Sequence, residues 1–158
     1  FQANYIAANV AVKTHGTYRM VHIPDGLSQS ALHLMLDADE QARENVALAQ
    51  KAQIVLFGIG RADTMAKRRG LTTVETHALK ELMACGESLG CYCSLDGHVV
   101  HVTSNAGISL KDIKKHPHVI AVAGGTSKAE AILAVMRACR TGILVTDEGA
   151  AEQILKMI

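Results

Sequence analysis

Two short stretches hold the residues best suited to grip an anion. The first is Ala123-Gly124-Gly125-Thr126-Ser127-Lys128, which follows an apolar run and opens a helical pattern. Gly124 and Gly125 lack a Cβ, so the backbone there can approach a ligand closely. Ser127 stands at an N-cap position, and Glu130 three residues later completes the spacing of a capping box. A helix start presents unpaired amides and the positive end of the helix dipole, and Lys128 adds a full charge. That is the chemistry of a phosphate site. The same residues also describe a plain capped helix after a glycine turn, and on this motif alone the two readings stand level.

The second stretch is Gly58-Ile59-Gly60 followed by Thr64 to Arg69. Two adjacent guanidiniums, Arg68 and Arg69, can clamp a second phosphate bidentately. The alternative is a solvated surface pair. Gly58-x-Gly60 is weak as a nucleotide motif, because the third glycine of the dinucleotide fingerprint is missing. Glu87 precedes a strand-like stretch, where its carboxylate could accept from sugar hydroxyls or be a surface charge on a loop. The amide of Gln2 could do similar work, although nothing local singles it out.

Other reactive side chains lack partners in the sequence. The eight histidines are scattered, and His98-x-x-His101 and His116-x-His118 want the further ligands of a metal centre. Cys91-x-Cys93 has no second pair, which favours buried thiols. No nucleophile elbow and no helical His-Glu-x-x-His occurs, so no catalytic residue, metal or cofactor is expected.

These residues need elements to position them. Ala3–Val12 has helical spacing, closed by Gly16, and Thr17–Ile23 alternates like a strand. Ser28 can cap a short helix, and Ala38–Lys51 reads as a longer one. Gln53–Phe57, His118–Ala123 and Gly142–Thr146 are apolar runs of the kind buried on both faces of a parallel sheet. Thr64–Arg69 is a short helical turn stopped by Gly70. Thr72-x-x-Glu75 is a capping box opening a helix to about Cys85. Gly90–Leu95 and His98–Thr103 form a hairpin through Asp96-Gly97. Ser109–Lys115 is a short helix, a longer one runs from the glycine turn to about Arg140, and Asp147 caps the last.

Strands alternating with helices give an α/β fold: a Rossmann-like, mostly parallel sheet flanked by helices, with a small antiparallel hairpin. Ligands in such sheets sit beyond the carboxyl ends of the strands, where the candidate turns gather.

Composition narrows the function. Of 158 residues, 49% are hydrophobic and 20% charged, as in an ordinary soluble domain, and the formal charge is +1. A domain gripping DNA by its phosphates normally carries a basic excess, so this stretch is not expected to touch nucleic acid. No apolar run reaches the length of a membrane span, and no signal peptide opens the chain. Four scattered cysteines fit a reducing compartment, hence the cytoplasm.

Taken together, the segments resemble the effector-binding domain of the SorC-type sugar-responsive transcription regulators along the whole chain. The likeness rests on His15-Gly-Thr-Tyr-Arg19, Leu27-Ser-Gln29, Gly58-Ile-Gly60 with Thr64-Met-Ala-Lys-Arg-Arg69, and Asp96-Gly-His-Val-Val100. Its most specific blocks run from Ile120 to Ile132 and from Leu144 to Ala151. The resemblance implies a sugar-binding domain related to phosphosugar isomerases and deaminases, here read as its C-terminal part over 1–158. It implies a helix-turn-helix DNA-binding domain and a first phosphate loop preceding Phe1. It further implies a phosphorylated sugar effector, fructose 1,6-bisphosphate foremost, and assembly as a homodimer or homotetramer. Carried over by position, Ser127 and Lys128 are phosphate ligands, and Arg68 and Arg69 meet a phosphate of the effector. Glu87 and Gln2 contact the sugar, and Thr126 shares the turn. An isomerase or deaminase of the same fold is the rival, with Glu87 and Asp147 as the candidate bases, and a plain oligomerisation domain is the third reading.

Overall fold

Three helices come first in the computed structural model, which describes residues 3–24, 27–140 and 142–158. They are α1 (Ala3–Thr14), α2 (Gln29–Ala38) and α3 (Glu40–Gln50). Ser28 caps α2 by accepting from the Ala31 amide at 3.2 Å. Asp39 ends α2 and caps α3 in turn, accepting from the Ala42 amide at 3.0 Å. The helix expected over Ala38–Lys51 therefore starts two residues late, because an aspartate cap fixes its start.

Thr17–Ile23 does not become a strand. Alternation shows that a segment can be amphipathic, but a strand also needs a neighbour's edge to pair with. This segment is tied by side chains instead: Asn45 Nδ2 donates to the Met20 carbonyl at 2.9 Å, and Asn4 Nδ2 to that of Val21 at 3.3 Å.

After α3 come β1 (Ile54–Gly58), β2 (Gly60–Arg61), α4 (Ala62–Arg68) and α5 (Thr73–Glu81). The capping box expected at Thr72 and Glu75 is formed, with both reciprocal bonds present. Then follow β3 (Ala84–Ser88), β4 (Cys91–Ser94) and β5 (Val99–Val102). The remaining elements are β6 (His118–Val122), α6 (Ala129–Cys139), β7 (Ile143–Val145) and α7 (Glu148–Leu155). Ser109–Lys115 forms only a 3-10 turn over Ile113–Lys115.

The strands divide into two sheets. β1, β6 and β7 form a parallel sheet in the order β1-β6-β7, and β2 to β5 form an antiparallel sheet in chain order. The α/β reading holds, but the antiparallel part is larger than one hairpin. Its unforeseen members are β2 and β3, the latter where the sequence suggests the tail of α5. Ala84 and Gly86 are weak strand formers. Packing selects them: α6 lies against β3, and a Cβ at Gly86 would come within 2.6 Å of the Ala131 carbonyl.

The core joins one face of the parallel sheet (Val55, Phe57, Val119, Ala121) to the buried side of α6 and to Ile113. The other face is open. Ile54, Leu56, Val122, Ile143 and Val145 are each between 45% and 63% exposed. Covering on both faces, expected from the apolar runs, is thus seen on one face only. A continuous apolar run shows that a strand suits cover on both sides; the described residues supply it on one.

Candidate effector site

The carboxyl ends of β1, β6 and β7 gather most of the candidate residues at one end of the parallel sheet. After β6 the chain passes through Gly124 and Gly125 (φ 97°) into a 3-10 turn, Thr126–Lys128, which leads directly into α6. Ser127 does not cap: neither the turn nor α6 has a side-chain cap bond, so the capping box with Glu130 is absent. A carboxylate from the turn after β7 binds the glycine backbone instead. Asp147 accepts the Gly125 amide in a short hydrogen bond and, as N-cap of α7, the Ala150 amide at 2.9 Å. Those amides, Ala150 foremost, hold its carboxyl below the usual carboxylate range. Gly124 is needed here because a Cβ would collide with the Asp147 carboxylate.

One donor of the anticipated phosphate turn is therefore already satisfied by a carboxylate. Thr126 and Ser127 remain exposed at the start of the helical stack, where amides lack intrahelical acceptors. Lys128 is half-buried and turns inward, its Nζ 3.5 Å from the Ile59 carbonyl between β1 and β2.

The two arginines part company. Arg68 is the last residue of α4 and Arg69 its C-cap, and successive helical positions diverge by about 100°. Arg68 is exposed. Arg69 turns inward and donates from Nη2 to Glu87 Oε1 at 3.0 Å, with the two side chains 15% and 3% exposed. The Gly90 amide donates to the same oxygen at 2.8 Å. Glu87 lies within β3, paired across to Gly60 on one side and Tyr92 on the other. It is not a loop surface charge. Burial pushes the Tyr92 hydroxyl up to about 12, with the Glu87 carboxylate adding to the effect.

Two concave regions flank this centre. A cavity of about 670 Å³ is lined by the polar residues Arg68, Arg69, Asn4, Ser104 and Asn105 and by apolar ones that include Val21, Leu27, Leu32 and Val46. A second, of about 600 Å³, is lined by Thr126 and Ser127 with Arg61, Glu130, Gln153 and Lys156. Lys128 lines neither; its contact at Ile59 puts it next to Gly60, the residue paired with Glu87. The structure thus brings Arg68, Arg69 and Glu87 together and places Ser127 in the neighbouring cleft. Gln2 lies outside the described residues. Asn4, Ser104 and Asn105 were not singled out in the sequence, where no spacing or charge distinguishes them.

The cysteines lie where their apolar surroundings suggested. Cys91, Cys93 and Cys139 are buried and Cys85 half-buried. Burial pushes the Cys93 thiol up to about 12 and that of Cys139 up to about 11, which keeps both protonated and unreactive. Among the described residues no group of three His, Cys, Asp or Glu side chains is placed to hold a metal ion. None of the described helices is long and apolar enough to cross a membrane.

Residues 1–156 match the Sugar-bind family, described as a sugar-binding domain. The chain belongs to that family. It is 41% identical over 155 residues to the central glycolytic genes regulator of Bacillus subtilis, covering 98% of this chain and 45% of that protein. A SorC family transcriptional regulator from Enterococcus faecalis superposes with a TM-score of 0.87 at 39% identity, over 98% of this chain and 62% of that one. The sugar-binding domain of a transcriptional repressor from Vibrio fischeri shares the fold, with a TM-score of 0.82 at 22% identity, 99% of this chain and 65% of the other. The SorC resemblance read from the sequence is borne out, and relatives of this family are named as regulators, not enzymes. The chain spans about half the length of the curated relatives it matches.

Proposed function

We propose that this chain is the C-terminal part of the effector-binding domain of a cytoplasmic bacterial transcription repressor, and that its effector is a phosphorylated sugar. The observation that carries the reading is the larger cavity, whose lining includes Arg68 and Arg69 together with Asn4, Ser104 and Asn105. Lys128, beyond the end of β6, supplies a second positive charge outside that cavity, its Nζ 3.5 Å from the Ile59 carbonyl. Two separated cationic points suit a bisphosphate better than a neutral sugar. Fructose 1,6-bisphosphate is the leading candidate, in keeping with a relative whose name refers to glycolytic genes. Arg68 and Lys128 hold the phosphates, the Thr126-Ser127 turn adds donors, and the family resemblance assigns Gln2 and Glu87 to the sugar.

DNA is contacted through an N-terminal helix-turn-helix domain and not through this chain. The effector acts by binding one arrangement of the homodimer or homotetramer more tightly than another, which shifts operator affinity. Both carboxylates considered as an isomerase base are engaged: that of Asp147 is held by two amides and that of Glu87 by Arg69 and Gly90.

Calorimetry on the full-length polypeptide tests the reading. Fructose 1,6-bisphosphate is expected to bind and to raise Tm more than fructose 6-phosphate, and Lys128→Ala or Arg68→Ala to weaken binding about tenfold or more, the worth of one charge-assisted contact. Unchanged affinity in both variants excludes those roles. Turnover of glucosamine 6-phosphate or ribose 5-phosphate would instead establish an enzyme.

A further inference from the structure

The glycine turn after β6 is fastened to β7 and to the start of α7. The Ala123 amide donates to the Val145 carbonyl at 3.1 Å, and the Gly125 amide donates to the Asp147 carboxylate. A Cβ at Gly149, in the first turn of α7, would come within 3.0 Å of Thr126 Cγ2, so the helix start rests on the turn itself. Gly125 passes this restraint on. Its carbonyl accepts the Lys128 amide at 2.9 Å, and Lys128 Nζ lies 3.5 Å from the Ile59 carbonyl. A shift of Gly125 therefore shifts the backbone from which the Lys128 ammonium is aimed.

The two oxygens of Asp147 are divided between two tasks. Oδ1 accepts the Ala150 amide at 2.9 Å and caps α7, while Oδ2 takes the Gly125 amide. A helix cap needs only the first of these bonds. The second reaches back 22 positions, and capping gives no reason for it. It also sets a negative charge beside a turn suited to phosphate. The Ala150 and Gly125 amides hold the carboxyl below its usual range, so the charge is present at neutral pH, and it repels an anion. The bond to the turn is what offsets that repulsion.

We propose that Asp147 is a positioning residue for the effector: it latches the glycine turn so that Lys128 and the start of α6 are set for a phosphate before the ligand arrives. This rests on the sugar-phosphate reading above and names what prepares that site. A turn ordered in advance spares the ligand the entropy of ordering it on binding.

Asparagine and serine at position 147 separate the two tasks, since both are good helix N-caps. Asparagine has one acceptor oxygen in place of two, and the shorter serine reaches only its own helix. In both variants α7 stays capped and the turn is released. Calorimetry on the full-length polypeptide reads the consequence, with fructose 1,6-bisphosphate, fructose 1-phosphate and fructose 6-phosphate as probes. Asp147→Asn and Asp147→Ser are each expected to weaken bisphosphate binding about fivefold or more, although each removes a repelling charge. The monophosphate seated at Arg68 loses less, because it does not use the turn. Tighter or unchanged bisphosphate binding in either variant overturns the proposal, and so does an equal loss for all three ligands, the mark of a general structural defect. Amide hydrogen exchange in the unliganded protein tests the latch without any effector. Faster exchange at Gly125 with unaltered exchange at Ala150 supports it, and unaltered exchange at Gly125 sinks it. A parent protein that binds none of the three probes sinks the effector reading, and the exchange at Gly125 then decides the latch alone.

Discussion

Arg68 and Arg69 look interchangeable in the sequence, yet they stand in different dielectric surroundings. Arg68 is exposed, and truncating it removes little that the fold needs. Arg68→Ala is expected to change unfolding free energy by no more than about 0.5 kcal/mol. Arg69→Ala removes the guanidinium that donates to the nearly buried Glu87 carboxylate, at a cost of about 3 kcal/mol or more. Urea unfolding of the two variants side by side checks the contrast, and equal losses would contradict it. Asp147 illustrates the same point in the other direction. As its folded carboxyl titrates below its ordinary value of 3.8, the cap's contribution is complete above that value and is lost as pH falls through the lowered one. Asp147→Ala is therefore expected to lower Tm at neutral pH and to show little further loss relative to the parent in strong acid. Thermal melts across that pH range measure it.

At the scale of elements, signals carried by a local cap or turn could be read directly from the chain. Ser28, Thr72 with Glu75 and Asp147 cap helices as expected, because each bond closes within three residues. Features that depend on distant partners could not be read this way. The hydrogen bond at the glycine turn comes from Asp147, 22 positions beyond Gly125, and not from Ser127, and Thr17–Ile23 finds no strand to pair with. Glu87 belongs to the same class: its burial follows from β3, and β3 exists because Gly86 lets α6 approach. The arginine pair and the glycine turn were visible as charged and flexible points. The cavity wall of Asn4, Ser104 and Asn105 was not, since only the fold brings those three together. Gly86→Ala tests the dependence of β3 on α6. Its methyl would press on the backbone carbonyl of Ala131, and a loss of about 1–3 kcal/mol is expected in chemical denaturation, as for other overpacked core sites. A neutral result would mean that α6 can retreat without cost, and the position of Glu87 would lose its explanation.

For the whole molecule, the unequal faces of the parallel sheet decide how this chain behaves on its own. Parallel strands are ordinarily covered on both sides, and a contiguous apolar patch left in water drives association. Here Ile54 and Leu56 on β1, Val122 on β6, and Ile143 and Val145 on β7 share the open side. Ile54 and Ile143 lie on the two edge strands, so lysine at both interrupts the patch at each margin and also discourages edge pairing. The 158-residue chain is expected to bind the dye ANS and to scatter light increasingly with concentration. Ile54→Lys with Ile143→Lys is expected to reduce both while changing stability by less than about 1 kcal/mol, because neither side chain is packed in the core cluster. A large loss of Tm in that variant would show that the face is already packed in the parent by a second copy. Dilution then checks this: a face covered by a second copy regains its dye binding as the concentration falls.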